Sequence, residues 1–210
     1  FDVLKCGFSL VLNPDISLNH RFSLDEINHN SPQDEFLFTG IVEQHGSKCS
    51  VYEFNPALFM SKKVRFLDSN KSIPRYPSGC CWGISYSLWK RTGGFSTELF
   101  LYFEELDFIY RYKKLVGFFP EVRVLPSISI YHGEGGSTGA SPILGEMSPF
   151  ADYHSSLSRI KFCRMHLMAS IPIAISYNLV KSVVNLFYFH LKNSKAVFMG
   201  TLNGFYDEKK

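Results

Sequence analysis

No Cys-x-x-Cys pair occurs in this chain of 210 residues, and its five cysteines, Cys6, Cys49, Cys80, Cys81 and Cys163, form an odd set. That pattern argues against a thiolate metal site and a disulfide framework, and it fits reduced thiols in a cytosolic compartment. No basic stretch, apolar run and cleavage site opens the chain, which starts at Phe1, so it reads as trimmed rather than as carrying a secretory leader. Internal repeats and low-complexity tracts are absent too. What is present is a chain with 45% apolar and 16% aromatic residues, enough for a real core in one large domain or a domain with an appendage.

Acid is nearly missing from one end. Residues 1–158 carry 14 Lys and Arg against 17 Asp and Glu, a balance of −3, whereas residues 159–210 carry 8 against 2, a balance of +6. We therefore divide the chain into a main domain, 1–158, and a basic tail, 159–210. Between Arg159 and Lys195 there are six bases and no acid, and Ile175, Leu179, Val183, Phe187 and Leu191 recur every four residues. This spacing predicts an amphipathic helix, with Pro172 at a helix start or break. The uncharged run from Met165 to Val180 is shorter than a membrane span of about 20 residues and holds His166, Ser170, Ser176 and Asn178. Two readings stay open: a cationic helix lying on an anionic leaflet, or a helical pair packed on the main domain or on a second subunit.

The first region alternates strand and helix patterns. Phe8 to Leu12 reads as a buried strand ending in Asn13-Pro14-Asp15. Phe36 to Gln44 and Ser50 to Phe54 are further strands, with a turn at Gly46-Ser47. Ser61 to Pro77 reads as a polar surface loop. Gly79 to Ser85 is a strand, Ser87 an N-cap for Leu88 to Arg91, and Gly93-Gly94 its stop. Tyr102 to Val116 is a helix closed by Gly117, and Val122 to Leu125 and Ile128 to Tyr131 are two strands that carry His132 to a loop. The alternation predicts an α/β fold with a largely parallel sheet, whose sites lie beyond the carboxyl ends of its strands.

The chemistry-bearing residues fall in a definite order. Asp15 sits in a turn stiffened by Pro14, the kind of carboxylate a hard divalent cation uses while keeping positions free for phosphate oxygens. His132 precedes Gly133, Gly135 and Gly136 and offers an imidazole nitrogen. Glu104, Glu105 and Asp107 open one helix with Arg111 four residues after Asp107. Each feature has a plainer explanation: an Asx-turn, a histidine in a loop, acids favoured by the helix dipole, an i,i+4 ion pair. Together they make one cation site and one base, the set needed to move a group off a diphosphate.

The order of these segments resembles the inverting glycosyltransferases of family two, with the GT-A fold, and most closely their rhamnosyltransferase-like members. The resemblance rests on Leu12-Asn13-Pro14-Asp15, on Ser78-Gly79, on Gly93 to Glu98 with Phe100 to Tyr102 and Glu104 to Arg111, and on His132 to Ser137. It spans about Phe8 to Thr138. Two positions depart from the family pattern: Ser96-Thr97 replace a single Asp, and Glu105 stands where the family has an Asp. The family's nucleotide-binding front half has no counterpart here, so the chain is expected to be the back part of a GT-A domain with a helical tail.

The resemblance implies a cation, Mg²⁺ or Mn²⁺, on Asp15 and His132, with Asn13 behind them. It implies Glu105 as general base, and Glu104, Asp107 and Arg111 around the acceptor. Trp82 is the aromatic weighed between core packing and stacking on the acceptor sugar. The implied partners are a nucleotide-diphosphate sugar, dTDP-rhamnose in particular, a lipid-linked saccharide acceptor such as an O-antigen intermediate, and an anionic membrane surface, with no nucleic acid. The implied location is the cytoplasmic inner face of a bacterial plasma membrane. Two other readings remain in play: a truncated, non-catalytic remnant or membrane-binding carbohydrate module, and a metal-dependent nucleotidyltransferase, which leaves the Gly93 to Arg111 block without a role.

Overall fold

The computed structural model describes residues 7–18, 34–44, 47–48, 50–64, 70–132 and 147–206. Cys6, Cys49, Gly46 and the run Gly133 to Thr138 lie outside the described residues. The chain is mixed α/β and divides into two compact units, interleaved in sequence. One comprises residues 1–54, 61–95 and 108–133; the other comprises residues 55–60, 96–107 and 134–210.

The first unit is built on strands β1 (Phe8–Leu12), β2 (Ile16–Leu18), β3 (Phe36–Gln44), β4 (Ser47–Lys48), β8 (Cys81–Ser85) and β9 (Glu121–His132), in the order β1-β8-β3-β9-β2 with β4 on β3. Only β3 and β9 pair in parallel; the β1·β8, β3·β8, β2·β9 and β3·β4 pairs are antiparallel. This corrects the expectation of a largely parallel sheet. Apolar runs identify strands, but pairing direction depends on how distant segments meet, which those runs do not encode. The two ends of the sheet path, β1 and β2, are consecutive in the chain and joined only by Asn13-Pro14-Asp15. A sheet whose opposite edges share a three-residue turn must curl toward a barrel. Phe36, Phe38, Val42, Ile128 and Ile130 form its core with Cys80 and Cys81, and Phe8, Leu10 and Leu12 pack against them half-buried. β1 is thus an edge strand rather than the buried one expected.

Ser61 to Pro77 is not a plain loop. Met60–Val64 (β6) and Arg75–Pro77 (β7) flank Val51–Asn55 (β5) in a second, three-stranded sheet. Its polar residues hid it: Lys62 reaches Glu53 at 2.8 Å and Tyr52 stacks on Tyr76, cross-strand pairs that hold the sheet, while Val51 and Phe54 are buried. The two strands expected around Pro126 are one, β9. The β3·β9 register jumps between Thr39↔Val124 and Ile41↔Ser129, so Pro126 sits in a bulge where no ladder donor is required.

Helix α1 (Tyr86–Thr92) starts after Ser85, whose hydroxyl accepts from Phe36 N rather than capping the helix, and the hydroxyl of Ser87, the expected cap, donates to the Asp34 carbonyl at 2.7 Å. Gly93 ends it in the left-handed region, and a Cβ on Gly94, also left-handed, would lie 2.6 Å from the Trp89 ring. Helix α2 (Glu104–Val116) closes at Gly117 as expected; its first four residues belong to the second unit and the rest to the first.

The second unit holds α3 (Pro149–His166), α4 (Ile171–Phe187) and α5 (Leu191–Asn203), with a 3₁₀ turn at Met168–Ser170. Ser148 caps α3 by accepting from Ala151 N at 3.2 Å, and Pro172 stands in the first turn of α4. The boundary between 158 and 159 drawn from charge falls inside α3. The expected apolar stripe is split between α4 and α5 and does not face inward: Leu179, Val183 and Phe187 of α4 and Leu191 of α5 are exposed, and the buried positions of α4 are Ala174, Asn178 and Ser182.

Candidate active site

In the first unit the register of β2 on β9 pairs Ile16 with His132, which sets Asp15, one residue earlier, beside the end of β9. His132 Nε2 lies 3.3 Å from Asp15 Oδ1, and both atoms are buried without a hydrogen bond of good geometry. Buried polar atoms are ordinarily bonded, so two facing each other unsatisfied need a reason. Two ligands at right angles on one hard cation, each at about 2.1 Å, stand about 3 Å apart, so this pair fits shared coordination. Among the described residues no third His, Cys, Asp or Glu completes a cluster. A cation here would take its other ligands from water or a diphosphate. Asn13 N donates to the Cys80 carbonyl at 3.2 Å, tying the turn to the Ser78-Gly79-Cys80 segment. Burial pushes the Cys80 thiol up to about 11, so it stays protonated near neutral pH and the donor set is oxygen and nitrogen.

In the second unit α2 begins after two consecutive residues in the left-handed region, Tyr102 (φ 67°) and Phe103 (φ 68°). Each such non-glycine residue costs about 1–3 kcal/mol, and a strained pair is kept only where its surroundings over-determine it. The Phe103 ring is held between Phe162 at 5.5 Å and Phe59 at 5.8 Å. This strained entry presents Glu104, Glu105 and Asp107 in the first helical turn. Glu104 Oε2 is buried without a hydrogen-bond partner, and burial raises its carboxyl. Burial, reinforced by the charge on Glu104, pushes the half-buried Glu105 carboxyl up to about 8. Asp107 is fully buried and bonded to His166 Nε2 at 2.8 Å.

Sequence reasoning missed His166. It lies 59 residues beyond Asp107, at the end of a helix whose N-terminal half was left unassigned, and no spacing links the two. Arg111, in the first unit, donates to the carbonyls of Thr92 and Gly94 at 2.6 Å each, so it pins the Gly93-Gly94 stop. Trp82, weighed between core packing and an acceptor sugar, is a core residue: it is 1% exposed, packs on Phe95 and Phe108, and donates its indole N–H to Pro77 O. Phe100, by contrast, is 72% exposed and set against Phe150 and His154 at 6.5 and 5.2 Å.

No protein-family model, curated protein or solved structure matches the chain.

Proposed function

We propose that this chain carries the back part of a GT-A catalytic domain of an inverting, metal-dependent glycosyltransferase. The enzyme moves a sugar, rhamnose by preference, from a nucleotide-diphosphate donor to a lipid-linked saccharide, at the cytoplasmic face of a bacterial plasma membrane. The reading is supported above all by Asp15 Oδ1 and His132 Nε2, buried, unsatisfied and 3.3 Å apart at the end of a strand. Together with the order of the Asn-Pro-Asp, Gly-Gly-Phe and Glu-Glu-x-Asp segments, that pair favours diphosphate chemistry over a plain structural turn.

Asp15 and His132 would hold Mg²⁺ or Mn²⁺, which would supply positive charge to the diphosphate leaving group. Asn13 orients the turn behind them. Glu105 accepts the proton of the acceptor hydroxyl as that oxygen attacks the anomeric carbon from the face opposite the leaving group, which inverts the configuration. Glu104 takes an acceptor hydroxyl, and Asp107, fully buried and held by His166, positions the first turn of α2 from behind.

The test is Glu105→Gln, which keeps the shape of the side chain and removes the base. Sugar transfer from dTDP-rhamnose is expected to fall by about 10²-fold or more, with Mn²⁺-dependent donor affinity changed less than about twofold. Wild-type turnover in that variant would refute the assignment. Because a base works only when unprotonated, kcat/KM of the parent enzyme is expected to rise with pH and level off above about 8.

A further inference from the structure

Helices α4 and α5 are arranged inside out for water. A soluble helix buries its apolar stripe, yet α4 buries Ala174, Asn178 and Ser182 and exposes Val180, Val183, Val184 and Phe187. The buried side of α4 is small and hydrogen-bonding. Asn178, fully buried, accepts from Arg159 and donates to Ser156 O and Thr201 Oγ1. Ser182 bonds Ser194 at 2.8 Å, and buried Asp152 takes Lys181 at 2.6 Å and Asn193 at 2.7 Å. Helices that meet through small and hydrogen-bonding residues, with apolar side chains outward, are those packed in lipid. The close approach is real: a Cβ on Gly200 of α5 would stand 2.3 Å from Tyr153 O of α3.

The turn between the helices is the most apolar and most exposed point. Phe187 is 76% exposed, Tyr188 70% and Phe189 87%, followed by Leu191. The run Met168–Phe187, 20 residues, is long and apolar enough to cross a bilayer by length and composition. Two observations favour a shallower placement. Helix α4 itself has 17 residues, about 25 Å, short of a hydrocarbon core of about 30 Å. Lys192 and Lys195, both exposed, follow the turn directly, where a crossing hairpin would have to carry them through the core.

We propose that the α4–α5 hairpin inserts into one leaflet of a lipid bilayer, its turn and the outer face of α4 among the acyl chains and Lys192 and Lys195 at the phosphates. The charge placement decides how it binds. Of the six bases from Arg159 to Lys195, four are engaged within the unit: Arg159 on Asn178, Lys161 on Glu98 O, Arg164 on Gly204 O and Lys181 on Asp152. Two lysines remain, so binding is driven by apolar burial, with a small electrostatic share, rather than by the cationic character the composition suggested. Insertion requires nothing of the glycosyl transfer proposed above, and either can fail alone.

The experiment is flotation of the full chain with vesicles of phosphatidylcholine, with and without phosphatidylglycerol. Binding to phosphatidylcholine alone is expected. Phosphatidylglycerol should add at most about thirtyfold, from two lysines at about 1 kcal/mol each. Raising NaCl from about 0.1 M to about 1 M should remove that increment only. Changing Phe187→Asp with Phe189→Asp, both exposed, should leave the melting temperature unchanged and weaken binding to phosphatidylcholine at least about tenfold. The proposal is overturned if the parent chain ignores phosphatidylcholine, if the double variant binds as the parent does, or if the parent is a dimer that the double variant dissolves. It also fails if a Leu179→Trp probe, midway along α4, is quenched best by lipids brominated at the bilayer midplane, which would mean a crossing hairpin.

Discussion

A carboxylate that takes a proton near neutral pH must be lifted well above the ordinary range, and Glu105 is lifted by burial and by the charge of Glu104. The lift has a thermodynamic counterpart. The folded state holds the Glu105 proton more tightly than the unfolded chain, whose carboxyl releases it near 4.5. Stability is therefore fully present below that value and is lost as pH rises through about 8. The melting temperature of the parent protein should fall across this window, and Glu105→Gln should flatten the fall. At Asp107 the expected effect is larger. His166→Ala leaves a buried carboxylate without that partner, and denaturant unfolding should show a loss of about 3–5 kcal/mol, partly recovered in His166→Asn. Trp82→Ala should cost about 3–5 kcal/mol through its cavity while leaving donor affinity unaltered, since its ring and its N–H are spent on the core. The acids of α2, the Asn-Pro-Asp turn and His132 were legible as residue types in a distinctive order. The Asp107 partner was not, because a contact across 59 residues leaves no mark in local spacing.

Elements were legible where their signals are local. β3 was read to the residue, the Gly93 stop and the Gly117 closure follow from glycine at a helix end, and Pro172 opens α4 as proline in a first turn does. They were misread where tertiary contacts supply what the local pattern lacks. β9 continues through Pro126 because it bulges there against β3, and β6 forms from polar residues because Glu53 and Tyr76 of the same sheet supply their partners. The apolar stripe of α4 was legible but not what it meets, since a four-residue repeat gives a face and leaves a leaflet and a packed neighbour equally open. One substitution tests the α3·α5 contact: Gly200→Ala places a methyl against the Tyr153 carbonyl, and thermal unfolding should report a loss of about 1–3 kcal/mol despite the better helix propensity of alanine.

At the scale of the molecule the chain is two interleaved units, and the charge asymmetry that suggested a tail at residue 159 tracks composition rather than a break in structure. The first unit closes its curled sheet through Asn13-Pro14-Asp15, so the fold and the candidate cation site depend on the same three residues. The account stands or falls on that site. Mn²⁺ electron paramagnetic resonance of the full chain, titrated with and without dTDP-rhamnose, measures it without requiring turnover. One ion per chain is expected, held more tightly with the diphosphate present. That ion should be lost in Asp15→Ala and in His132→Ala, lost no further when the two are combined, and kept in Glu105→Gln. Mn²⁺ binding unchanged in both Asp15→Ala and His132→Ala would contradict the account.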